Sequence, residues 1–458
     1  MSEVLMARTL FGVTLGYHIT YATLGVGIPF LIFMAEVMFW RTKDPSYRLF
    51  AKRLTRVAIL LVGVGIVTGT TVAVMLSVLW PKFMQVVGEI INLPFEFEVF
   101  AFIMESLFLA IYVYGGERLS QKARIFSSLF VAIGAGLSAL LVTDVNAFMN
   151  TPAGLDWVDG RVLHANPWAA MINPSMPTEL GHVLASAYMA VAFVFAAAAA
   201  RGLLKKQATA FERAYHKKNL TLTMSIGGIA AVCTAFIGDA AGKMMATYQP
   251  EKLAAAEGLF HTTKYAPLVI GGIVQASKQR IVGGIPIPGL LSWLATTHLN
   301  ATVIGLDAFP RWTWPALAPV HLMFDTMVGI GTFAIGVAFV YFLIRWKVVP
   351  RLHDRWLLWV IVLTGFLSMV AIEDGWVFAE EARQPWIIYG MMTVDQAVTT
   401  APGIGWMFGG FMLLFTVLLI GTVLSLRSYF THHPLTTDEL VVQTGPTPPV
   451  QPDVTVPR

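Results

Sequence analysis

The chain has 458 residues, 56% of them hydrophobic and 13% charged, with a net charge of +4 and a mean hydropathy of +0.67. A soluble domain carries about 25% charged residues, so the composition excludes one and requires an integral membrane protein. The basic residues sit in short connections between apolar runs, which excludes nucleic acid as a partner, and the single cysteine, Cys233, excludes an intrachain disulfide. No CxxCH is present, which excludes covalent c-type haem attachment. Ten histidines and 21 methionines remain as nitrogen or soft ligands.

Runs long enough to cross about 30 Å of hydrocarbon fall at about 10–38, 55–80, 95–115, 125–147, 179–203, 219–242, 316–345, 355–379 and 402–427. The expected fold is therefore all-α, with about nine transmembrane helices. The first run is too long for a signal h-region and lacks a clear cleavage site, so no cleavable signal is expected. Gly and Thr in the second and sixth spans predict kinks there.

Four connections are basic. They carry Arg41, Lys43, Arg48, Lys52 and Arg53; Arg118, Lys122 and Arg124; Arg201, Lys205, Lys206, Arg213, Lys217 and Lys218; and Arg345, Lys347, Arg351 and Arg355. The intervening second and fourth connections hold only Lys82 and Arg161. Positive charge stays inside, which predicts an external N-terminus and a cytoplasmic C-terminus.

The chain divides into six spans over 1–242, an extracytoplasmic connection over 243–315, three spans over 316–428 and a tail over 429–458. The connection contains amphipathic "EKLAAAEGLF" and Pro-broken "GGIPIPGLLSWLA". A connection this long is functional or disordered, and this one is too apolar for disorder. The tail, with "TGPTPPVQPDVTVPR", reads as disordered and cytoplasmic. No internal repeat is visible, which weakens an inverted-repeat transporter.

Polar residues within the spans gather towards the outer leaflet. His18 lies in span one, His182 opens span five in "ELGHVLASAY", Met327 lies early in span seven in "HLMFDTMVGIG", and Glu380 closes span eight. A lone histidine or methionine there is ordinary packing. Together, on four helices that could face one centre, they suit haem: nitrogen plus thioether is a low-spin axial pair, and a single His or carboxylate leaves an iron face open.

Span three adds Glu98 and Glu105 in "FEFEVFAFIMES", seven residues apart and so on one helical face. Intramembrane carboxylates commonly relay protons. The reading puts Glu105 near mid-membrane and Glu98 outside it, with Asn146, Asp144 and Ser138 of span four extending the path towards the cytoplasm. Glu373 and Glu380 share a face in the same way.

The motifs "RTLFGVTLGYH" (8–18), "GHVLASAY" (181–188), "KLAAAE" (252–257), "FDTMVGIG" (324–331) and "GWVFAEEARQPW" (375–386) resemble subunit I of cytochrome bd-type quinol oxidases, in the branch with a short quinol loop. The resemblance covers nearly the whole chain. It implies that His182 and Met327 ligate a low-spin haem b, and that His18 and Glu380 ligate two high-spin haems, a haem b and a haem d, in an order left open. It further implies proton delivery through Glu98, Glu105, Ser138 and Asn146, quinol chemistry at Lys252 and Glu257, and polar or aromatic surroundings for the high-spin pair from Arg8, Trp376 and Arg383. Arg383 would meet haem propionates.

Two departures stand out. Asp325 occupies a position where several members have Arg, and "TVAVML" replaces a Glu-Phe-Gln stretch in span two. The expected function is a terminal oxidase that takes electrons from membrane quinol and reduces O2 to water, separating charge without pumping. A subunit II and a small single-span subunit are the expected partners, in a bacterial or archaeal cytoplasmic membrane. A cyanide-insensitive relative with b haems only is the alternative; a proton-coupled transporter is the remote one.

Overall fold

A computed structural model of the chain describes residues 3–158, 160–346, 354–399 and 401–435. Its helices begin with α1 (Glu3–Thr42), α2 (Pro45–Leu79), α3 (Pro81–Gly115) and α4 (Gln121–Asn150), then a short α5 (Pro167–Met171), α6 (Met176–Leu204) and α7 (Ala210–Tyr248). Short α8 (Pro250–Ala256) and α9 (Leu290–Thr296) precede α10 (Leu317–Arg345), α11 (Asp354–Glu381), short α12 (Val394–Ala397) and α13 (Ile404–His432). Among the described residues, nine of these are long and apolar enough to span a membrane. Among the described residues, strand pairing is confined to short two-stranded pairs in the connections.

Local chemistry sets where several helices begin. Asp44 caps α2 by accepting the Ser46 N–H at 3.0 Å, and Pro45 follows at a position that needs no amide donor. Ser120 caps α4, and Thr209 with Glu212 forms a capping box on α7. These three starts share one end of the molecule, the basic end. The α2–α3 turn, the close of α4, the start of α6 and the 249–316 segment share the opposite, loop end.

Several helices outrun the apolar runs that predict them. Spans two and three begin at Pro45 and Pro81, and α7 continues to Tyr248, so the non-spanning segment begins at Gln249 rather than 243. Hydrophobicity marks the hydrocarbon, while Lys, Arg, Glu and Met on either side are good helix formers and prolong the helix. α13 likewise takes in four residues of the expected tail. Residues 436–458 of that tail, and Lys347 and Arg351 of the last basic connection, lie outside the described residues.

The spans in which kinks were expected, two and six, are each one continuous helix, α2 and α7. Their small residues allow close approach: Gly69 of α2 lies against His18, and Gly238 of α7 against His182. Proline occurs inside α1 and α3, at Pro29 and Pro94.

Packing divides the spans into two groups. α1 lies along α2 and α4, and α4 along α3. α6, α7, α10 and α11 close a ring, each packed on the next, so that α6 faces α10 across the diagonal. α6 also packs on α1 and α4, which joins the groups, and α13 lies beside α1 and α2. The 249–316 segment has its own core of Leu253, Phe260, Val274, Leu291 and Leu306, continuous with Phe378 and Ala382 at the end of α11.

The α3–α4 crossing is tight enough to forbid a methyl group. A Cβ on Gly134 would stand 2.7 Å from the Glu105 backbone nitrogen, where no side chain can swing aside. Gly134→Ala should therefore destabilise the fold by about 1–3 kcal/mol, read as a lowered Tm of the purified protein.

Candidate functional site

Glu380 stands at the loop end of α11 with both carboxylate oxygens engaged. Oε2 accepts from Arg383 Nη2 at 2.7 Å, and Oε1 accepts from Asn146 Nδ2 of α4. Asn150 Nδ2 donates to Asn146 Oδ1 and to Glu179 Oε1 of α6, each at 2.9 Å. Lys252 Nζ donates to Asn150 Oδ1 at 3.2 Å and to the Ala379 carbonyl at 3.3 Å. Gln249 Nε2 donates to the Asn150 carbonyl at 2.8 Å. Two carboxylates and two cations thus meet in one enclosed network around Asn150, and their formal charges cancel.

Arg383, expected at a propionate, is 2% exposed and held by Glu380 and Asn146. Its Nε is buried without a hydrogen-bond partner, a donor left over for an anion. Lys252, expected to face quinol, is 5% exposed and bonded towards Asn150 and α11. Burial pushes its ammonium down to about 8, against the opposing pull of Glu179.

His182 and Met327 project from α6 and α10, the diagonal pair of the ring. The His182 ring lies against Gly238 of α7, with the Thr234 backbone alongside but short of hydrogen-bond geometry at Nδ1. A Cβ on Gly375 of α11 would come 3.0 Å from Met327 Sδ, so glycine keeps α11 clear of the sulfur. Thr326 donates to Asp374 at 2.8 Å and fixes the rotation of α10 against α11. A thioether and an imidazole on opposed helices fit a flat macrocycle with two axial positions. Among the described residues no cluster of three or more His, Cys, Asp or Glu could hold a bare metal ion.

His18 lies on the other side, between α1 and α2. Its Nδ1 is 2.9 Å from Thr68 Oγ1, a contact that fixes the ring and leaves Nε2 for a ligand. Trp376 packs with Ile19, Ala190 and Ile372 where α1, α6 and α11 meet. Arg8 forms an ion pair with Glu381 at 3.3 Å. Glu373 accepts from Thr20 Oγ1 of α1 at 2.7 Å.

Of the expected proton path, Glu98 accepts from Ser138 Oγ at 3.1 Å, so this pair is together. Depths differ from the expectation in two respects. α3 starts at Pro81, which puts Glu98 at mid-helix and Glu105, about 10 Å further on at 1.5 Å per residue, nearer the basic end. Asp144 and Asn146 do not extend the path towards the basic end: α4 finishes at Asn150, so they lie at the loop end, where Asn146 holds Glu380.

Glu257 ends α8, 7% exposed. Burial and the Asp325 charge raise its carboxyl to about 8. Asp325 accepts from the Gly271 N–H at 2.8 Å and approaches His321 Nε2 at 3.5 Å. Asn150, Glu179, Gln249 and His321 escape the sequence reading. Asn146–Asn150 and His321–Asp325 each carry an i,i+4 spacing that could have found them; Glu179 and Gln249 have partners too distant in the chain to leave a local signal.

Two outcomes follow from this arrangement. Glu380→Ala leaves the Arg383 guanidinium buried without its anion, which should cost about 3–5 kcal/mol, measured by thermal unfolding. The Glu257 carboxyl, ordinarily near 4.5, sits at about 8 when folded. The folded state then holds a proton that the unfolded chain has released, so this contribution to stability is full below 4.5 and lost as pH rises through 8. Hydrogen-exchange protection of 249–316 should fall across that window in the native protein, and the fall should be smaller in Glu257→Gln.

A family model described as cytochrome bd terminal oxidase subunit I matches residues 6–434. A putative cytochrome bd menaquinol oxidase subunit I from Bacillus subtilis (strain 168) is 42% identical over 441 residues, covering 96% of this chain and 99% of that one. A cytochrome bd ubiquinol oxidase subunit 1 from the same organism is 27% identical, covering 92% and 90%. The solved bd oxidase from Geobacillus thermodenitrificans superposes with a TM-score of 0.88 at 43% identity, covering 94% of this chain and 99% of that one. With diagonal His and Met ligand candidates in place and a match over nearly its full length, the chain belongs to the cytochrome bd terminal oxidase subunit I family.

Proposed function

We propose that this chain is the haem-carrying subunit of a respiratory quinol oxidase in a bacterial or archaeal cytoplasmic membrane, oxidising quinol at the 249–316 segment and reducing oxygen to water. The observation that carries the reading is the opposition of His182 and Met327 across one four-helix ring, with glycine on the flanking helices. These two would hold a low-spin haem b; His18 and Glu380 would each hold one high-spin haem, a haem b and a haem d. When bound, these groups supply electron carriage and the iron at which oxygen is reduced.

The chain's own residues supply protons and fixed charge. The Lys/Arg bias of its connections supports an external N-terminus, an extracytoplasmic loop end and a cytoplasmic basic end. Glu257 passes on protons that quinol releases at the outer face. Lys252 keeps a positive charge between quinol and α11, fixed there through Asn150 and Ala379. Protons bound for water enter at Glu105, pass Glu98 and Ser138, and reach the loop end, where Asn146 and Arg383 orient Glu380. Trp376 and Arg8 pack and polarise the walls around His18. Quinol protons leave outside and oxygen's protons come from inside, so charge separates without a pump.

A subunit II would cover the exposed apolar face of α3, which carries Val99, Phe100, Ile103 and Leu107, and a small single-span subunit would complete the assembly. The "TVAVML" stretch supports a second reading with b haems only, since its Met75 is buried in apolar core where the long-loop members carry polar residues.

A reduced-minus-oxidised visible spectrum of the purified complex tests the assignment. His182→Ala or Met327→Ala should abolish the low-spin b band, and spectra that keep every band would overturn it. Pigment extraction decides between the readings: a chlorin marks haem d, and its absence selects the b-only form.

A further inference from the structure

His321 is buried at 1% exposure in the second turn of α10, and nothing in the mechanism above employs it. Its Nδ1 lies 2.6 Å from the carbonyl of Ala256, the residue before Glu257. A carbonyl oxygen only accepts, so Nδ1 carries the hydrogen and donates. In the neutral ring Nε2 is then the basic nitrogen, and it is buried with no hydrogen-bond partner. That lone pair stands 3.5 Å from the Asp325 carboxylate. Asp325 is held in turn by the Gly271 N–H, and its charge acts on Glu257. Asp325 is the titratable group set against the imidazole, the Ala256 carbonyl is its polar backbone neighbour, and Glu257 follows Ala256 in the chain and feels the same Asp325 charge.

We propose that His321 is a proton acceptor for quinol oxidation, taking on Nε2 the proton that Glu257 relays from the substrate. The proposal rests on the quinol reading of the 249–316 segment and deepens it. Quinol gives up two protons and two electrons. In each one-electron step an O–H bond breaks, its proton replaces one that Glu257 passes to Nε2, and the electron leaves for oxygen, the oxidant of the overall reaction. The imidazolium, facing Asp325, releases its proton to the outside before the next step. A second base is needed because Glu257, raised to about 8, already holds a proton at neutral pH and must pass it on before accepting another. The Nε2 lone pair is the basic atom left without a hydrogen-bond partner, and the Asp325 carboxylate 3.5 Å away is the counter-ion that an imidazolium would face.

His321→Gln can still donate to the Ala256 carbonyl but has no basic nitrogen. In the purified oxidase complex it should lower kcat for quinol by about 100-fold with little change in KM, and abolish the acid limb of the pH–rate profile. Oxygen uptake driven by an artificial one-electron donor, and the haem spectra, should stay as in the native complex. Imidazole added to His321→Ala should restore turnover. Native quinol turnover and pH profile in His321→Gln would overturn the proposal, as would loss of the haem bands in both variants, which would make the residue structural. Glu257→Gln, assayed in parallel, tests the underlying reading. If that variant oxidises quinol normally, the segment is not the quinol site; if it is impaired while His321→Gln is not, the site stands and only the role of His321 fails.

Discussion

An ion within a bilayer has to be neutralised by another ion, and the loop end of this protein is organised around that constraint. Glu380 and Glu179 are offset by Arg383 and Lys252, with Asn146 and Asn150 distributing hydrogen bonds among them. Removing a single partner leaves a buried charge that several kcal/mol of other contacts must carry. The network draws on α4, α6, α8 and the close of α11. Those elements are therefore located relative to one another by electrostatics as much as by apolar packing.

The two helix groups divide the labour that follows. The ring of α6, α7, α10 and α11 offers His182 and Met327 on its diagonal as candidate axial ligands and carries the 249–316 segment over its end. The α1–α4 group contributes His18 and the carboxylates of α3. Trp376 and Glu380 lie where the groups meet, Trp376 against α1 and α6 and Glu380 against Asn146 of α4. Gly27 at the α1–α6 crossing brings the backbones close enough to exclude a methyl group, which fixes that boundary, and Gly134 does the same at the α3–α4 crossing inside the α1–α4 group.

The spans were legible because hydrocarbon imposes a length of about 20 apolar residues, and no soluble alternative satisfies that pattern nine times. Helix ends were not, because lysine, arginine and glutamate continue a helix into the interface without any change in backbone preference. That shift of fourteen residues in the start of α3, from 95 to Pro81, displaced the inferred depths of Glu98 and Glu105. His18, His182, Met327 and Glu380 were visible as polar or soft residues in apolar runs. Their neighbours were not: Glu179 reads as an ordinary first-turn carboxylate, and Gln249 as a helix-ending polar residue, until the fold brings Asn150 between them. Arg383 was evident as a charge, and its ion pair with Glu380, three residues away, emerges only with the fold.

The anchoring of Gln249 and Lys252 on Asn150 bears on how a hydrophobic substrate enters. Both side chains tie the first turn of the segment down on the close of α4, so α8 cannot swing outward as a lid without exposing a lysine and breaking its bonds to two helices. On the proposed reading of the segment, a long-tailed quinol would enter past this anchored turn from the lipid side rather than under a lid that opens.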